Sequence, residues 1–339
     1  MPQNIKNGAT IEDVANLASV STATVSRVMN KSGQVAQKTC DRVYEAIEAL
    51  NYVPHSGARQ MAGGRPNLVG LIFPAIGDPF MSELLEGIET KLVGEGYDLL
   101  LYSSQRRSER HHFLPLNEHN TDGLIVFANS LSNTELTRFH KLNFPLVLLH
   151  QSPPKGLDIP CVTVENKKGA RKAVKHLIDC GYKKIAFLAG LEGHEDAEWR
   201  EIGYREELAE HNIPFRPELV AYGGFSAETA ESAVENWLLE GIEIEAIFAA
   251  DDNSAQGAMF ALQRAGKRIP EDVAIIGFDD IHFSRYMTPS LTTIRMPIKE
   301  AGEHAAIQIL KLMKGEKATS LTLLPTDLII RGSCVKSSS

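Results

Sequence analysis

From residue 68 onward, short apolar runs alternate with longer amphipathic stretches, and this alternation restricts the fold more than any other feature of the chain. The runs cover 69–73, 98–102, 123–127, 146–149, 184–188, 246–248 and 273–277. They are nearly continuous, the pattern of parallel strands buried on both faces. Helical periodicity lies between them near 80–93, 167–180, 198–212, 227–240 and 253–265. Neighbouring parallel strands need a crossover, and a helix is the usual one. A doubly wound α/β body is therefore expected, and its length, about 270 residues, is enough for two such lobes.

The first 52 residues have another texture. Thr10 with Asp13 three residues on reads as a helix N-cap, followed by Ile11, Val14, Leu17 and Ala18 at helical spacing. Ser19-Val20-Ser21 breaks the pattern, and Ser21 is placed to cap a second helix carrying Val25, Val28 and Met29. A third helix is expected over about 37–51, with Val43, Ala46, Ile47 and Leu50 on one face. Two short helices joined by about three residues, then a supporting helix, is the helix-turn-helix plan. Gly63-Gly64-Arg65-Pro66 then reads as an interdomain joint.

Composition removes several classes. Apolar residues make up 43% and charged residues 23% of 339 positions, which is too apolar for disorder. The run 68–77 is too short to span a bilayer, and no secretory leader is visible at the N-terminus. Cys40, Cys161, Cys180 and Cys334 form no CxxC pair, which argues against a zinc ribbon or a disulfide scaffold. The net charge of −8 hides an asymmetry: residues 1–65 carry seven basic and five acidic side chains, and the remainder 28 and 38. A mildly basic head on an acidic body fits a small segment that meets phosphates.

The motifs sharpen this reading. DVA at 13–15, VSTATVSRV at 20–28, VA-x-x-T at 35–39, NYVP at 51–54 and AR-x-M-A at 58–62 resemble the headpiece of the lactose/galactose repressor family of bacterial transcription regulators. The resemblance continues through GLI at 70–72, DPF at 78–80, DGLIV at 122–126, HLIDCGYKKIAFLAG at 176–190, RIPEDVAIIGFDD at 268–280, LTTIRMP at 291–297 and LIIRG at 328–332. It covers essentially the whole chain. It implies a small all-α helix-turn-helix headpiece over 1–55, a hinge helix and linker over 56–66, and an α/β core over 67–339. That core resembles periplasmic binding proteins, with two lobes, parallel sheets and chain crossings near 163–166, 291–297 and 324–327.

A helix entering the major groove presents its first residues to base edges, while hydroxyls and amides there bond phosphates. Thr22, Ala23 and Arg27 are the expected base readers, Arg27 through a bidentate contact with guanine. Ser21, Thr24, Asn30 and Gln34 are expected backbone contacts. The family commonly has glycine where Ser19 stands; if that turn needs left-handed backbone, serine costs about 1 kcal/mol. By the same resemblance Ala58 and Met61 belong to a hinge that forms on operator DNA, with Met61 in place of the usual leucine wedge in the minor groove.

For the core, the resemblance implies an effector between the lobes. Phe80 would stack on a ring, Arg200 grip hydroxyls or a carboxylate, Asp279 accept paired hydroxyls and Phe225 form an aromatic wall. Asp251 stands where many members have asparagine, His150-Gln151 replaces a more usual acidic-then-basic pair, and Met296 replaces a common glutamine. No ligand therefore transfers from a particular relative. Read by themselves, Asp279-Asp280 could cap a helix and Arg200 serve a surface ion pair. His111, His112 and His119 lack metal-ligand spacing, and neither a metal nor a cofactor is expected.

The expectation is a cytoplasmic, ligand-responsive repressor, not an enzyme. It would bind a pseudo-palindromic operator in double-stranded DNA as a homodimer and be controlled by a small polar, carbohydrate-like effector (sugar, sugar acid, polyol or nucleoside). An enzyme on a doubly wound sheet would need GxGxxG after the first strand, a phosphate loop or a nucleophile elbow, and none is present. A transport binding protein shares the body but not the DNA-binding head or the missing leader. Induction and corepression are equally open.

Overall fold

The computed structural model describes residues 9–29, 33–52, 66–75, 77, 79–104 and 114–334. The chain divides into two compact units between Pro66 and Asn67.

The first unit holds α1 (Ile11–Leu17), α2 (Thr22–Met29) and α3 (Gln37–Ala49). Its core is small and made of short side chains: Val14, Ala15, Ala18, Val25, Val28, Val43 and Ala46, closed by Tyr52. Thr10 and Asp13 form a reciprocal capping box on α1. The helix ends in a Schellman motif. Ser19 takes φ +51, its N–H donates to the Asn16 carbonyl, and the Val20 N–H donates to the Ala15 carbonyl. The turn thus demands the left-handed backbone for which glycine is the low-cost choice.

The second unit contains two six-stranded sheets. Its strands are β1 (Leu68–Phe73), β2 (Asp98–Ser103), β3 (Gly123–Phe127), β4 (Leu146–Leu149), β5 (Cys161–Val164), β6 (Ile185–Ala189), β7 (Val220–Tyr222), β8 (Ala246–Ala249), β9 (Ala274–Asp279), β10 (Thr292–Arg295), β11 (Leu321–Leu324) and β12 (Asp327–Ile329). The first sheet runs β11-β5-β4-β3-β1-β2 and is wholly parallel. The second runs β12-β10-β9-β8-β6-β7, parallel except for β12 against β10.

The helices are α4 (Pro79–Gly94), α5 (Asn133–Lys141), α6 (Asn166–Asp179), α7 (Glu195–Glu210), α8 (Ala227–Leu239), α9 (Asp252–Arg264) and α10 (Ile298–Met313). Three pairs pack closely: α4 with α10, α6 with α7, and α8 with α9. A Cβ on Gly87 of α4 would lie 2.0 Å from the Lys299 carbonyl oxygen of α10, and one on Gly257 of α9 would lie 2.0 Å from that of Ala227. Only glycine admits such backbone contact. The chain passes between the sheets three times, from β5 toward β6, from β10 into α10, and from β11 to β12.

Several elements escaped the apolar-run reading. β5, β7, β10, β11 and β12 are three or four residues long, and β10 (TTIR) and β12 (DLI) carry polar groups. α5 and α10 likewise lie outside the helical stretches legible in the sequence. β2 corrects the expectation of burial on both faces: it is an edge strand, and Leu100 and Leu101 stand 41% and 44% exposed. Among the described residues no helix is long and apolar enough to cross a membrane.

Candidate DNA-reading helix and ligand cleft

In the first unit, α2 buries Val25 and Val28 and turns Thr22, Ala23 and Arg27 outward. The buried pair at i and i+3 fixes the rotation of the helix, so the opposite face is the one left free. The Ser21 hydroxyl accepts the Thr24 N–H at 3.2 Å and lies 3.0 Å from the Thr24 hydroxyl. This is the capping role read from the sequence, and it sets both hydroxyls beside the N-terminus of α2. Gln34 is exposed just before α3. Asn30, Ala58 and Met61 lie outside the described residues, as do His111 and His112. His119 is exposed, 3.8 Å from Glu118, and no cluster of three or more metal-ligating side chains occurs among the described residues.

In the second unit a cavity of about 200 Å³ opens at the C-terminal ends of the strands of both sheets. Crevices outside the carboxyl ends of parallel strands are where α/β sheets place ligands. The structure brings Phe80, His150, Arg200, Phe225, Asp251 and Asp279 together around it. Sequence reasoning missed Phe127, His194 and Asp196, which line the same space. A signal for Asp196 was available: it stands four residues before Arg200, on the same helix face.

Backbone strain concentrates here. In the second unit the described non-glycine, non-asparagine residues with positive φ are His150 (+58), Phe225 (+57), Asp279 (+114) and Asp280 (+60). Such conformations cost on the order of 1–3 kcal/mol each and persist where the surroundings impose them. The Phe225 ring packs against Gly190, where a Cβ would sit 2.4 Å from it, so only glycine leaves room for the ring there.

Aromatic rings form a chain across the cavity. Phe80 meets His150 at 5.5 Å, His150 meets Phe127 at 5.2 Å, Phe127 meets His194 at 6.5 Å, and His194 meets Phe225 edge-on at 5.3 Å. Phe127 ends a strand of the first sheet and His150 follows one, while His194 and Phe225 follow strands of the second.

The polar groups interlock. His150 Nδ1 lies 2.8 Å from the Asp196 carboxylate, which also accepts the Thr163 hydroxyl at 3.3 Å. Arg200 donates from Nε to Asn166 at 2.9 Å, and from Nη1 to the Ala250 carbonyl at 2.5 Å and to Asp279 at 3.4 Å. Its Nη2 lies 3.3 Å from Met296 Sδ and 3.9 Å from Asp196, and its plane stacks 3.8 Å from the Phe278 ring centre. At 3% exposure Arg200 is a core group, not the surface ion-pair partner that was the alternative reading. Gln151 turns aside to accept the Asn129 N–H at 2.8 Å.

The carboxylates divide their tasks. Asp251 caps α9, accepting the N–H groups of Asn253 and Ser254. The short 3-10 turn His282–Arg285 that follows Asp279-Asp280 has no side-chain cap, and Asp280 instead holds Arg295 at 2.7 Å and Arg331 at 2.6 Å. Asp252 is fully buried and accepts from Ser284, Thr293 and the Ile281 N–H. Burial pushes its pKa up to about 7 against the opposing pull of those hydrogen bonds. Burial also raises Asp196, but its pairing and hydrogen bond with His150 and the charge of Arg200 outweigh that and leave the carboxyl below its ordinary range. Burial lowers His194 to about 4, with Asp196 opposing and Arg200 assisting.

Comparison with known proteins matches these two regions separately. Residues 10–55 fit the pattern of "Bacterial regulatory proteins, lacI family", and residues 174–334 that of a "Periplasmic binding protein-like domain". The chain is 34% identical over 311 residues to the transcriptional repressor PurR of Aliivibrio fischeri, covering 90% of this chain and 92% of that protein. It is 35% identical over 325 residues to the ribose operon repressor of Halalkalibacterium halodurans, covering 95% and 96%. A solved structure of the lac repressor dimer bound to operator and an anti-inducer superposes with a TM-score of 0.82 at 28% identity, covering 97% of this chain and all of that one. With an exposed α2 face in one unit and a strand-end cleft in the other, the chain belongs to the lacI family of bacterial regulatory proteins and is a ligand-responsive transcriptional repressor, not an enzyme.

Proposed function

We propose that this repressor binds a pseudo-palindromic operator in double-stranded DNA as a homodimer, and that a small polar effector in the cleft controls that binding. The headpiece would occupy 1–55, the hinge and linker 56–66 and the core 67–339, in a cytoplasmic protein without cofactor. Thr22, Ala23 and Arg27 would read bases, and Ser21, Thr24, Asn30 and Gln34 would hold the DNA backbone. Ala58 and Met61 would enter the minor groove, Met61 as the wedge. Phe80, His150, Arg200, Phe225, Asp251 and Asp279 would surround the effector, drawn from sugars, sugar acids, polyols and nucleosides.

The observation that carries the reading is the orientation of α2, whose buried Val25 and Val28 leave Thr22, Ala23 and Arg27 exposed together. The operator-bound dimer of the lac repressor supports the symmetry. Control requires the effector to bind the DNA-competent and DNA-incompetent states with different affinity. Selection of binding sequences from random duplex DNA tests this. An inverted repeat, bound with a steep fall in affinity as salt rises, is expected; recovery of no preferred sequence from the full-length protein would overturn it.

A further inference from the structure

We propose that Asp196 fixes the imidazole of His150 with its Nε2 as a hydrogen-bond acceptor, so that the pair selects ligands that donate a hydrogen bond there and rejects ligands that present an oxyanion. This rests on the reading of the cleft as the effector site and narrows the ligand class within it.

The Asp196 carboxylate, held ionised, only accepts hydrogen bonds. His150 Nδ1, 2.8 Å away, therefore carries the proton in that bond. With a single proton, held at Nδ1, the ring keeps a lone pair at Nε2; a second proton there would be a buried donor with no acceptor among the described residues. That atom is buried and has no partner among the described residues, while the ring as a whole is 1% exposed and lines the cavity. A buried polar atom left unpaired is costly, so a ligand that supplies the missing donor gains there. A carboxylate or phosphate oxygen would set lone pair against lone pair.

The charge around the cavity works in the same direction. Asp196, Asp251 and Asp279 line it, against the single guanidinium of Arg200 among the described lining residues. That guanidinium is already bonded through Nε to Asn166 and through Nη1 to the Ala250 carbonyl and Asp279, with Nη2 against Met296 Sδ, so few of its donors are left for an anion. Phe80, Phe127 and Phe225 offer apolar faces to a ring. An uncharged ring compound bearing hydroxyl or N–H donors meets these walls, and its oxidised or phosphorylated counterpart does not.

Asp196 is a positioning residue, and the first readout needs no ligand. Nitrogen-15 imidazole NMR of the full-length protein is expected to show His150 protonated at Nδ1 and bare at Nε2, and Asp196→Asn to release that preference. A wild-type ring protonated at Nε2, whether alone or together with Nδ1, would overturn the proposal whatever the cleft binds. The second readout is calorimetry with matched probes: glucose against glucuronate, galactose against galacturonate, and ribose against ribose 5-phosphate. In any pair that binds, the neutral member is expected to bind at least tenfold tighter, and Asp196→Asn to shrink that ratio. An anion bound more tightly than its neutral partner would overturn the selection, and if no pair binds, the tautomer alone decides. Binding left unchanged by Phe225→Ala would instead show that the cleft is not the effector site, a separate failure.

Discussion

The groups proposed to meet DNA stand exposed on one eight-residue helix, whereas the cleft gathers buried, strained and mutually bonded residues from the ends of many strands. On α2 a side chain can change without disturbing its support, because Val25 and Val28 hold the helix from the other face. In the cleft, Arg200 touches acceptors on α6, the end of β8 and the end of β9, so the proposed binding surface and the scaffold are the same atoms. Substitutions should therefore separate specificity from stability on α2 and combine them in the cleft.

The sharpest way to break that contrast is Arg200→Ala. It leaves the Asp196 carboxylate without its guanidinium neighbour in a buried site and is expected to destabilise the body by about 3–5 kcal/mol in urea unfolding. A loss below about 1 kcal/mol would place Arg200 among dispensable surface charges.

A second test uses pH. His194 titrates near 4 in the folded protein against an ordinary 6.5. The unfolded chain therefore binds the extra proton first as pH falls. The contribution of His194 is complete above pH 6.5 and is lost as pH drops toward 4, a difference of roughly 3 kcal/mol. His194→Gln is expected to flatten that part of the acid limb in unfolding curves taken across the interval. An unchanged slope would mean the ring is not held neutral by burial.

On α2 the effects should be smaller and confined to DNA. Arg27→Ala is expected to weaken operator binding by about 1–3 kcal/mol and relax one position per half-site, with the thermal midpoint unmoved. Wild-type affinity and sequence preference in that variant would show that another face of α2 meets the bases. The smallest effect expected is at the turn before it: Ser19→Gly should stabilise the headpiece by about 1 kcal/mol by removing the cost of φ +51. A destabilisation of similar size would show that the serine hydroxyl outweighs the backbone strain.

The same contrast explains what could be read in advance. The headpiece was legible because its signals are local: the Thr10–Asp13 box, the Ser21 cap and the valine spacing all act within a few residues. The central strands were legible as apolar runs, but β10 and β12 were not, since they are short and carry polar side chains. Phe80, Arg200 and Asp279 were recognisable through family resemblance alone, because nothing in a local pattern brings strand ends of two sheets together. The pairing of His150 with Asp196 was out of reach for the same reason: 46 residues separate them, and they meet only when β4 and the start of α7 converge.

Linkage between the two regions is tested most directly by fluorescence anisotropy on a selected operator, titrated with the monosaccharide that gives the largest thermal shift. Wild type should change its operator affinity by about fivefold or more as that ligand is added. Asp279→Asn should bind the free operator as wild type does and lose the response to ligand. A ligand midpoint within about twofold of wild type in Asp279→Asn would contradict control from this cleft.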